Sequence, residues 1–328
     1  MFADFPLFLA PMAGVTNTIF RRICKTRGAD VLTTEFVSAE GILHRNARTR
    51  HYLEFLEEER PLGVQLFGAD PEHLAEAARA VIEWVQPDFL DLNFGCPVNK
   101  VVCRNGGSAL LRDCPLLARI AQAVVYAVHP VPVTAKIRIG WDHRSINAVQ
   151  AATILEQCGI CRIAVHGRTK EQGYSGRADW SVIAAVAAAV KVPVIGNGDI
   201  GTAQDALKRK SEADVAGLMI GRAAMASPWI FSEIRAALAT GTLPAAPTRE
   251  EKWQLMRDHC WQEIAWRRDE RSAMKAMRSR LMAYTHGMPG APRLRHRLAR
   301  VESLTELEDV AASELALDDI CLHPATAN

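Results

Sequence analysis

The sequence predicts an α/β chain, a closed (β/α)8 TIM barrel followed by a small all-helical domain. Three observations carry that reading. Short apolar runs rich in Val, Ile and Leu recur along the first two-thirds of the chain without polar alternation, as strands buried on both faces do. Amphipathic helical stretches such as Glu72–Val85 and Ser181–Val190 separate them, which implies right-handed βαβ units and a parallel sheet. Each run is followed by polar or glycine residues, where a barrel carries its functional groups.

The runs are Leu7–Ala10, Val31–Thr34, Leu62–Phe67, Phe89–Leu92, Val131–Ile137, Arg162–Val165, Val192–Ile195 and Val215–Ile220. Eight parallel strands over about 220 residues fit a closed barrel better than an open doubly wound sheet. Behind them stand Pro11-Met12, Glu35, Gly68, Asn93-Phe94-Gly95-Cys96, Arg138, His166-Gly167-Arg168, Asn197-Gly198-Asp199 and Gly221-Arg222, which a barrel gathers at one rim.

The barrel domain is expected over 1–240, and the Pro- and Gly-containing stretch 241–248 reads as a linker. Thr248-Arg249-Glu250-Glu251 is a capping box opening a helical domain over 249–318. Its apolar stripes are Trp253, Met256, Cys260 and Ile264, then Met274, Met277, Leu281 and Tyr284. Ser303-Leu304-Thr305-Glu306 offers a further capping box for a last acidic helix, and 319–328 is expected to be a tail.

A chain of 328 residues, 49% hydrophobic and 23% charged, is too apolar for a disordered protein. No uncharged apolar run reaches the ~18 residues of a membrane span. Residues 1–10 lack the basic start of a signal peptide and meet an acid at Asp4. Eight scattered cysteines read as reduced thiols. Cys158 and Cys161 form a C-x-x-C with no second pair, so they read as buried small residues and no metal is expected. Together these place the chain in the cytoplasm, with no membrane partner, and a monomer is expected.

The net charge of +2 hides an uneven distribution. Residues 267–300 hold ten Lys or Arg against two acids, and residues 301–328 hold seven acids and neither Lys nor Arg. The basic stretch fits a polyanion partner. A solvated helical face partly cancelled by the acids fits it equally well.

Several rim residues suit a bound phosphate and a flat heterocycle. Glycines after strands seven and eight let backbone approach an anion, and Arg222 supplies a cation; two tight βα turns that merely need glycine are the alternative. Lys136 lies inside an apolar strand, where its charge must meet an anion or a polar acceptor. A bound flavin, whose pyrimidine edge gains negative charge on reduction, is one such partner. Gln65, an amide in another apolar strand, has the chemistry to bind a flat heterocycle. An internal polar network explains both residues without a ligand. Cys96 stands beyond strand four, before a chain-turning Pro97. An ordinary thiol keeps its proton near neutral pH, so Cys96 suits a general acid; a nucleophile of lowered pKa and a plain buried cysteine are the alternatives. His166 and Arg168 suit contact with phosphate or a polyanion, and a structural hydrogen-bonding role suits the histidine as well.

In order along the chain, Ala10-Pro11-Met12-Ala13-Gly14, Gln65, Asn93-x-Gly95-Cys96-Pro97, Lys136, His166-Gly167-Arg168-Thr169, Asn197-Gly198-Asp199 and Gly221-Arg222 resemble the tRNA-dihydrouridine synthase family. The resemblance runs through the barrel and extends to the plan of the helical domain. It implies a bacterial-type FMN enzyme that reduces selected tRNA uridines to 5,6-dihydrouridine, with NADPH as reductant. By matching position, Pro11, Met12 and Ala13 border the flavin, and Gln65 and Lys136 hold its ring. Asn197, Gly198, Asp199, Gly221 and Arg222 enclose the phosphate. His166 and Arg168 lie beside cofactor or RNA, Asn93 meets the substrate and Cys96 donates the proton. Lys275, Arg278, Arg280, Arg295 and Arg297 of the basic stretch are the expected tRNA contacts. The loop after Cys96 carries a second thiol, Cys103, for which no role is assigned.

Two rivals differ in what they leave idle. A flavin barrel reducing or oxidising a small pyrimidine, such as a dihydroorotate-type dehydrogenase, has no use for the basic stretch. An RNA-binding protein on a barrel without chemistry has none for Gln65, Lys136 and Cys96.

Overall fold

Strand formation follows the apolar runs because both faces of each strand are covered, by helices outside and by side chains within. The computed structural model describes residues 4–45, 49, 51–103 and 105–322. The strands are β1 (Leu7–Leu9), β2 (Leu32–Thr33), β3 (Val37–Ser38), β4 (Leu62–Phe67), β5 (Phe89–Phe94), β6 (Val133–Arg138), β7 (Ile163–His166), β8 (Val194–Asn197) and β9 (Gly217–Ile220). All pair in parallel, in the order β1-β9-β8-β7-β6-β5-β4-β2, with β3 also on β4. The ring closes between β1 and β2 through the parallel bridge Phe8–Val31 and the Leu9 N–H to Val31 carbonyl bond of 3.0 Å.

The second barrel position is a broken strand. β2 pairs through Thr33 and β3 through Val37, so Thr34-Glu35-Phe36 interrupts the ladder. No apolar run announces Val37–Ser38. Pro132 and Pro193 lack the N–H a ladder needs, and strands β6 and β8 begin just beyond them. At their other ends β5, β6, β7 and β8 run one or two residues past the apolar runs. Asn93, Arg138, His166 and Asn197 are therefore in strands, whose hydrogen bonding is indifferent to side-chain polarity at the barrel mouth.

Inside the barrel Phe8, Val31, Phe89, Ile195 and Met219 form an apolar plug. The Arg162 guanidinium lies over the Phe8 and Phe89 rings at 5.0 and 4.6 Å. In-register residues of neighbouring parallel strands point the same way. Gln65, Asp91 and Thr134 thus share one layer, and Asn93 and Lys136 share another.

The chain divides into two compact units, Met1–Ala224 with Ile230–Leu243, and Met225–Trp229 with Pro244–Asn328. The second contains the helices Arg249–Arg267, Glu270–Tyr284, Ala291–Leu298 and Leu304–Leu322. Thr248 accepts from the Glu251 N–H at 3.1 Å and donates its own N–H to the Glu251 carboxylate at 2.7 Å, a reciprocal cap. At the last helix the Glu306 N–H donates to the Ser303 hydroxyl, but the Glu306 carboxylate accepts from Glu302. That helix runs four residues past the expected boundary of 318, and residues 323–328 of the expected tail lie outside the described residues.

Trp253, Met256 and Cys260 are buried as the spacing predicts, whereas Ile264 is half-exposed and Glu263 is buried instead. Glu263 is held by Arg267 at 2.9 Å, and beside it His259 Nδ1 lies 2.9 Å from the Tyr284 hydroxyl. No helix among the described residues is long and apolar enough to cross a membrane. Nor do those residues contain a His, Cys, Asp and Glu group suited to a metal ion.

Candidate active site

At the C-terminal end of β5 the chain turns sharply, and Asn93 organises the turn. Its Oδ1 accepts the N–H groups of Gly95 at 3.1 Å and Cys96 at 2.8 Å. The Gly95 carbonyl accepts from Arg138 Nε at 3.0 Å, and the Cys96 carbonyl accepts from the Ser108 hydroxyl at 2.8 Å. Cys96 is buried. Burial pushes its thiol above the ordinary range; the Val98 backbone hydrogen bond and the Arg138 and Lys136 charges work against that and do not reverse it. The sulfur therefore holds its proton at neutral pH.

Below this turn a file of polar side chains crosses the barrel interior. Asn93 Nδ2 donates to Gln65 Oε1 at 2.7 Å, and Gln65 Nε2 donates to Asp91 Oδ2 at 2.6 Å. Asp91 Oδ1 accepts from the Thr134 hydroxyl at 2.6 Å. Desolvation raises the Asp91 carboxyl, opposed by the Thr134 and Gln65 hydrogen bonds and by the charges of Arg162 and Lys136.

Lys136 Nζ donates to Asn197 Oδ1 at 3.3 Å, and Asn197 Nδ2 donates to the Met219 carbonyl at 2.7 Å. Desolvation first, then the Arg138 charge, pushes the Lys136 ammonium down to about 8. Lys136 thus stays a cation at neutral pH, and no carboxylate among the described residues forms an ion pair with it. His166 closes β7 among four cations. Desolvation, then Lys136, Arg138, Arg168 and Arg222, keep its imidazole far below the usual range, so it is neutral.

Past β7 and β8 an ion-pair cluster forms. Arg168 is almost wholly buried and donates through Nη2 to Asp199 at 2.7 and 2.9 Å and to the Gly176 carbonyl at 2.6 Å. Asp199 also accepts from the Ala178 N–H at 2.7 Å and from Arg222 at 3.2 Å. Desolvation works the other way, yet the Ala178 N–H and the Arg168 guanidinium hold the Asp199 carboxyl below the usual range. Gly198 must be glycine, because its φ is +126° and a Cβ there would stand 2.7 Å from the Ala178 Cβ.

The turn after β1 completes the rim. The Met12 N–H donates to the Thr16 hydroxyl at 3.0 Å, and the Gly14 N–H donates to Glu35 at 2.6 Å. Pro11 is half-buried and Ala13 exposed, and a Cβ on Gly221 would lie 3.6 Å from the Met12 sulfur. The turns after the first and last strands therefore adjoin.

A model of the family described as dihydrouridine synthase matches residues 8–320. The chain belongs to the dihydrouridine synthase family. It is 42% identical over 297 residues to the tRNA-dihydrouridine synthase B of Pseudomonas aeruginosa, covering 90% of this chain and 88% of that one. The counterpart of Xanthomonas campestris pv. campestris is 44% identical over 242 residues, covering 74% and 72%. A probable tRNA-dihydrouridine synthase of Mycobacterium tuberculosis is 38% identical, covering 92% and 80%. The fold is shared with a crystal structure of TcOYE with pHBA, at TM-score 0.55 and 12% identity, covering 75% of this chain and 91% of that one. It is shared also with histamine dehydrogenase from Rhizobium sp. 4-9, at TM-score 0.52 and 11% identity, covering 71% and 46%.

This dihydrouridine synthase is therefore a flavin-dependent oxidoreductase, and its residues fit such a group. Arg168 Nη1 is buried with no hydrogen-bond partner among the described residues, a free donor beside Asp199. Lys136 is a cation with no carboxylate ion-paired to it among the described residues, and Gly198 keeps a side chain out of the turn after β8.

Several site residues escaped sequence reasoning. Asp91 and Thr134 look like interior strand positions, and Ser108 and Gly107 like loop filler. Tyr174, 62% exposed, stands 5.1 Å from the Arg222 guanidinium and 5.9 Å from that of Arg138. The Gln-Gly-Tyr-Ser-Gly composition of its turn was the only signal of it in the sequence.

The basic stretch of the synthase is partly consumed by its own acids. Arg293 and Arg297 both hold the buried Glu314, at 3.0 and 2.8 Å, and Arg249 joins them at 3.3 Å. Arg278 donates to the Val301 carbonyl at 3.0 Å and to Glu302 at 3.2 Å. Arg280 is buried, while Lys275 and Arg295 are exposed.

Proposed function

We propose that this enzyme is a tRNA-dihydrouridine synthase, binding FMN and using NADPH to reduce selected uridines of tRNA to 5,6-dihydrouridine. The observation that carries the reading is a protonated, buried thiol at the same barrel rim as a cation and a buried arginine that, among the described residues, have respectively no carboxylate ion pair and one unpartnered donor. FMN, when bound, supplies the hydride for carbon 6 of the uracil.

The residues divide the remaining work. Pro11, Met12 and Ala13 would border the flavin ring, and Gln65 and Lys136 would hold it, with Lys136 offering a cation to its pyrimidine edge. Asn197 keeps Lys136 in place. Gly198, Gly221, Arg222 and the free Nη1 of Arg168 take the phosphate, and Asp199 serves them by gripping both arginines. His166, being neutral, contributes hydrogen bonds without charge. Asn93 orients the uracil, and Cys96 gives the Sγ proton to carbon 5, where charge builds after reduction at carbon 6.

A uridine must leave its stack to reach the rim, at a cost of a few kcal/mol. Lys275 and Arg295, two exposed cations of the basic stretch, help to offset it through phosphate contacts. The enzyme acts in the cytoplasm as a monomer.

The test is nucleoside-resolved mass spectrometry of tRNA lacking dihydrouridine, before and after incubation with the protein and NADPH. A gain of two mass units at defined uridines is expected. NADPH oxidation that ignores tRNA and follows a free pyrimidine would overturn the reading.

A further inference from the structure

The loops after β6 and β7 meet the end of the 3-10 turn Gly107–Arg112 in a tied junction. Asn147 donates its N–H to the Ile139 carbonyl at 3.0 Å and its Nδ2 to the Leu111 carbonyl at 2.7 Å, which brings that turn against the loop after β6. The N–H groups of Lys170 and Glu171 donate to the carbonyls of Gly140 and Trp141, both at 3.0 Å, and join the loop after β7 to the same place. Trp141 stands where the three segments meet.

Two cations sit over its indole. The Arg112 guanidinium carbon lies 3.8 Å from the ring centroid, and Lys170 Nζ lies 4.5 Å from it. The two charges are therefore within about 8 Å of each other, and each repels the other until an anion lies between them. Neither forms an ion pair with a carboxylate among the described residues. Most acids of these segments are engaged locally. Asp113 accepts from the Leu116 N–H at 3.0 Å, Asp142 from the Arg144 N–H at 2.8 Å and the Ser145 hydroxyl at 2.9 Å, and Asp179 from the Ser181 N–H at 3.0 Å. Glu171 is the exposed exception.

Arg112 is exposed and Lys170 half-buried. With the indole already engaged by cations, the cluster offers a ligand N–H donors, which suit a phosphate rather than a base. Arg144 and Arg177 are exposed in the same two loops and add to their positive charge. The turn Gly107–Arg112 begins against Cys96, where the Ser108 N–H donates to the Cys96 carbonyl at 3.1 Å, and its length is about 10 Å. A uridine extruded into the mouth at Cys96 carries its flanking phosphates over that range.

We propose that Arg112 and Lys170, held on Trp141, form a contact for the phosphate backbone of tRNA on the barrel rim, beside the Cys96 turn. The inference rests on the reading of tRNA as substrate, and it gives the barrel unit its own RNA surface besides the exposed cations of the helical unit.

The experiment measures tRNA binding by fluorescence anisotropy across a salt series. It compares wild type, the rim pair Arg112→Gln/Lys170→Gln, and a control pair Arg119→Gln/Lys191→Gln. The control removes the same charge from two exposed cations outside the junction. The rim pair is expected to weaken binding about tenfold or more at low salt and to lower the salt slope by about 1.5–2. The control pair should leave the slope within error of wild type. Arg112→Gln alone should lower the slope by about half as much as the rim pair, and it decides the matter if the rim pair is unstable. Single-turnover dihydrouridine formation at saturating tRNA should stay within about threefold of wild type in the rim pair. An unchanged slope in the rim variants, or an equal fall in the control pair, would overturn the proposal. Stopped-flow flavin reduction without tRNA gives the second arm. If the rim pair weakens NADPH binding and leaves the tRNA slope alone, the cluster serves the dinucleotide phosphates and the proposal falls. A wild-type enzyme that binds tRNA and forms no dihydrouridine would overturn the functional reading, while the salt slopes still judge the rim surface.

Discussion

Gly107 lies against the backbone of Cys96, so closely that a Cβ at 107 would stand 2.8 Å from the Cys96 carbonyl oxygen and 3.1 Å from its Cβ. The φ of Gly107 is +58°, a region that side chains disfavour. The short 3-10 turn Gly107–Arg112 can clamp the cysteine only because nothing projects there. Gly107→Ala is expected to cost about 1–3 kcal/mol of stability and to slow dihydrouridine formation. Urea unfolding beside a tRNA assay checks both; an alanine variant with wild-type stability and rate would mean the turn yields freely.

Cys96→Ala removes the proton and little else, since the backbone groups of residue 96 make the hydrogen bonds that shape the turn. The variant is expected to keep its yellow colour and lose about 10²–10⁴ in the rate of dihydrouridine formation. Stopped-flow reduction by NADPH should be unchanged. Full single-turnover activity would move the proton donor elsewhere.

Lys136 makes stability depend on pH in a defined direction. Its folded pKa of about 8 lies below that of an exposed lysine, so between the two values the unfolded chain binds more protons. Its burden on the fold is therefore full below pH 8 and lifts as pH rises toward the unfolded value. Without cofactor, Lys136→Met should melt higher than wild type at pH 7, with the gap narrowing by about pH 9.5. A gap constant across that range would show that the ammonium is not desolvated.

The arginines of the helical unit should separate into two groups. Lys275→Ala with Arg295→Ala touches exposed cations, and is expected to leave the melting temperature alone. The same pair should lower the salt slope of tRNA binding by about 1 for each phosphate it no longer neutralises. Arg297→Ala leaves buried Glu314 with fewer donors and should lower the melting temperature. Fluorescence anisotropy across a salt series, with melting curves of the same variants, distinguishes the groups. An unchanged slope in the first would place the RNA on another surface.

Strand count, parallel order and the rim were legible in the chain itself, because burial on both faces leaves uninterrupted Val, Ile and Leu and because a barrel turns sequence position into height along one axis. The place of Cys96 in the turn just past a barrel strand was legible through the motif at that strand's end. Where cations find their partners was not. Arg168 looks like a surface ligand in the sequence, and lies buried against Asp199, 31 positions away; Arg280 looks like part of a basic face and is interior. Asp91 gives no local sign of its place, since its meaning depends on Gln65 and Thr134, brought beside it by the registers of β4 and β6. Periodicity records which face of an element is apolar. Which charge meets which donor is decided only once the barrel closes and each buried polar group must find a partner.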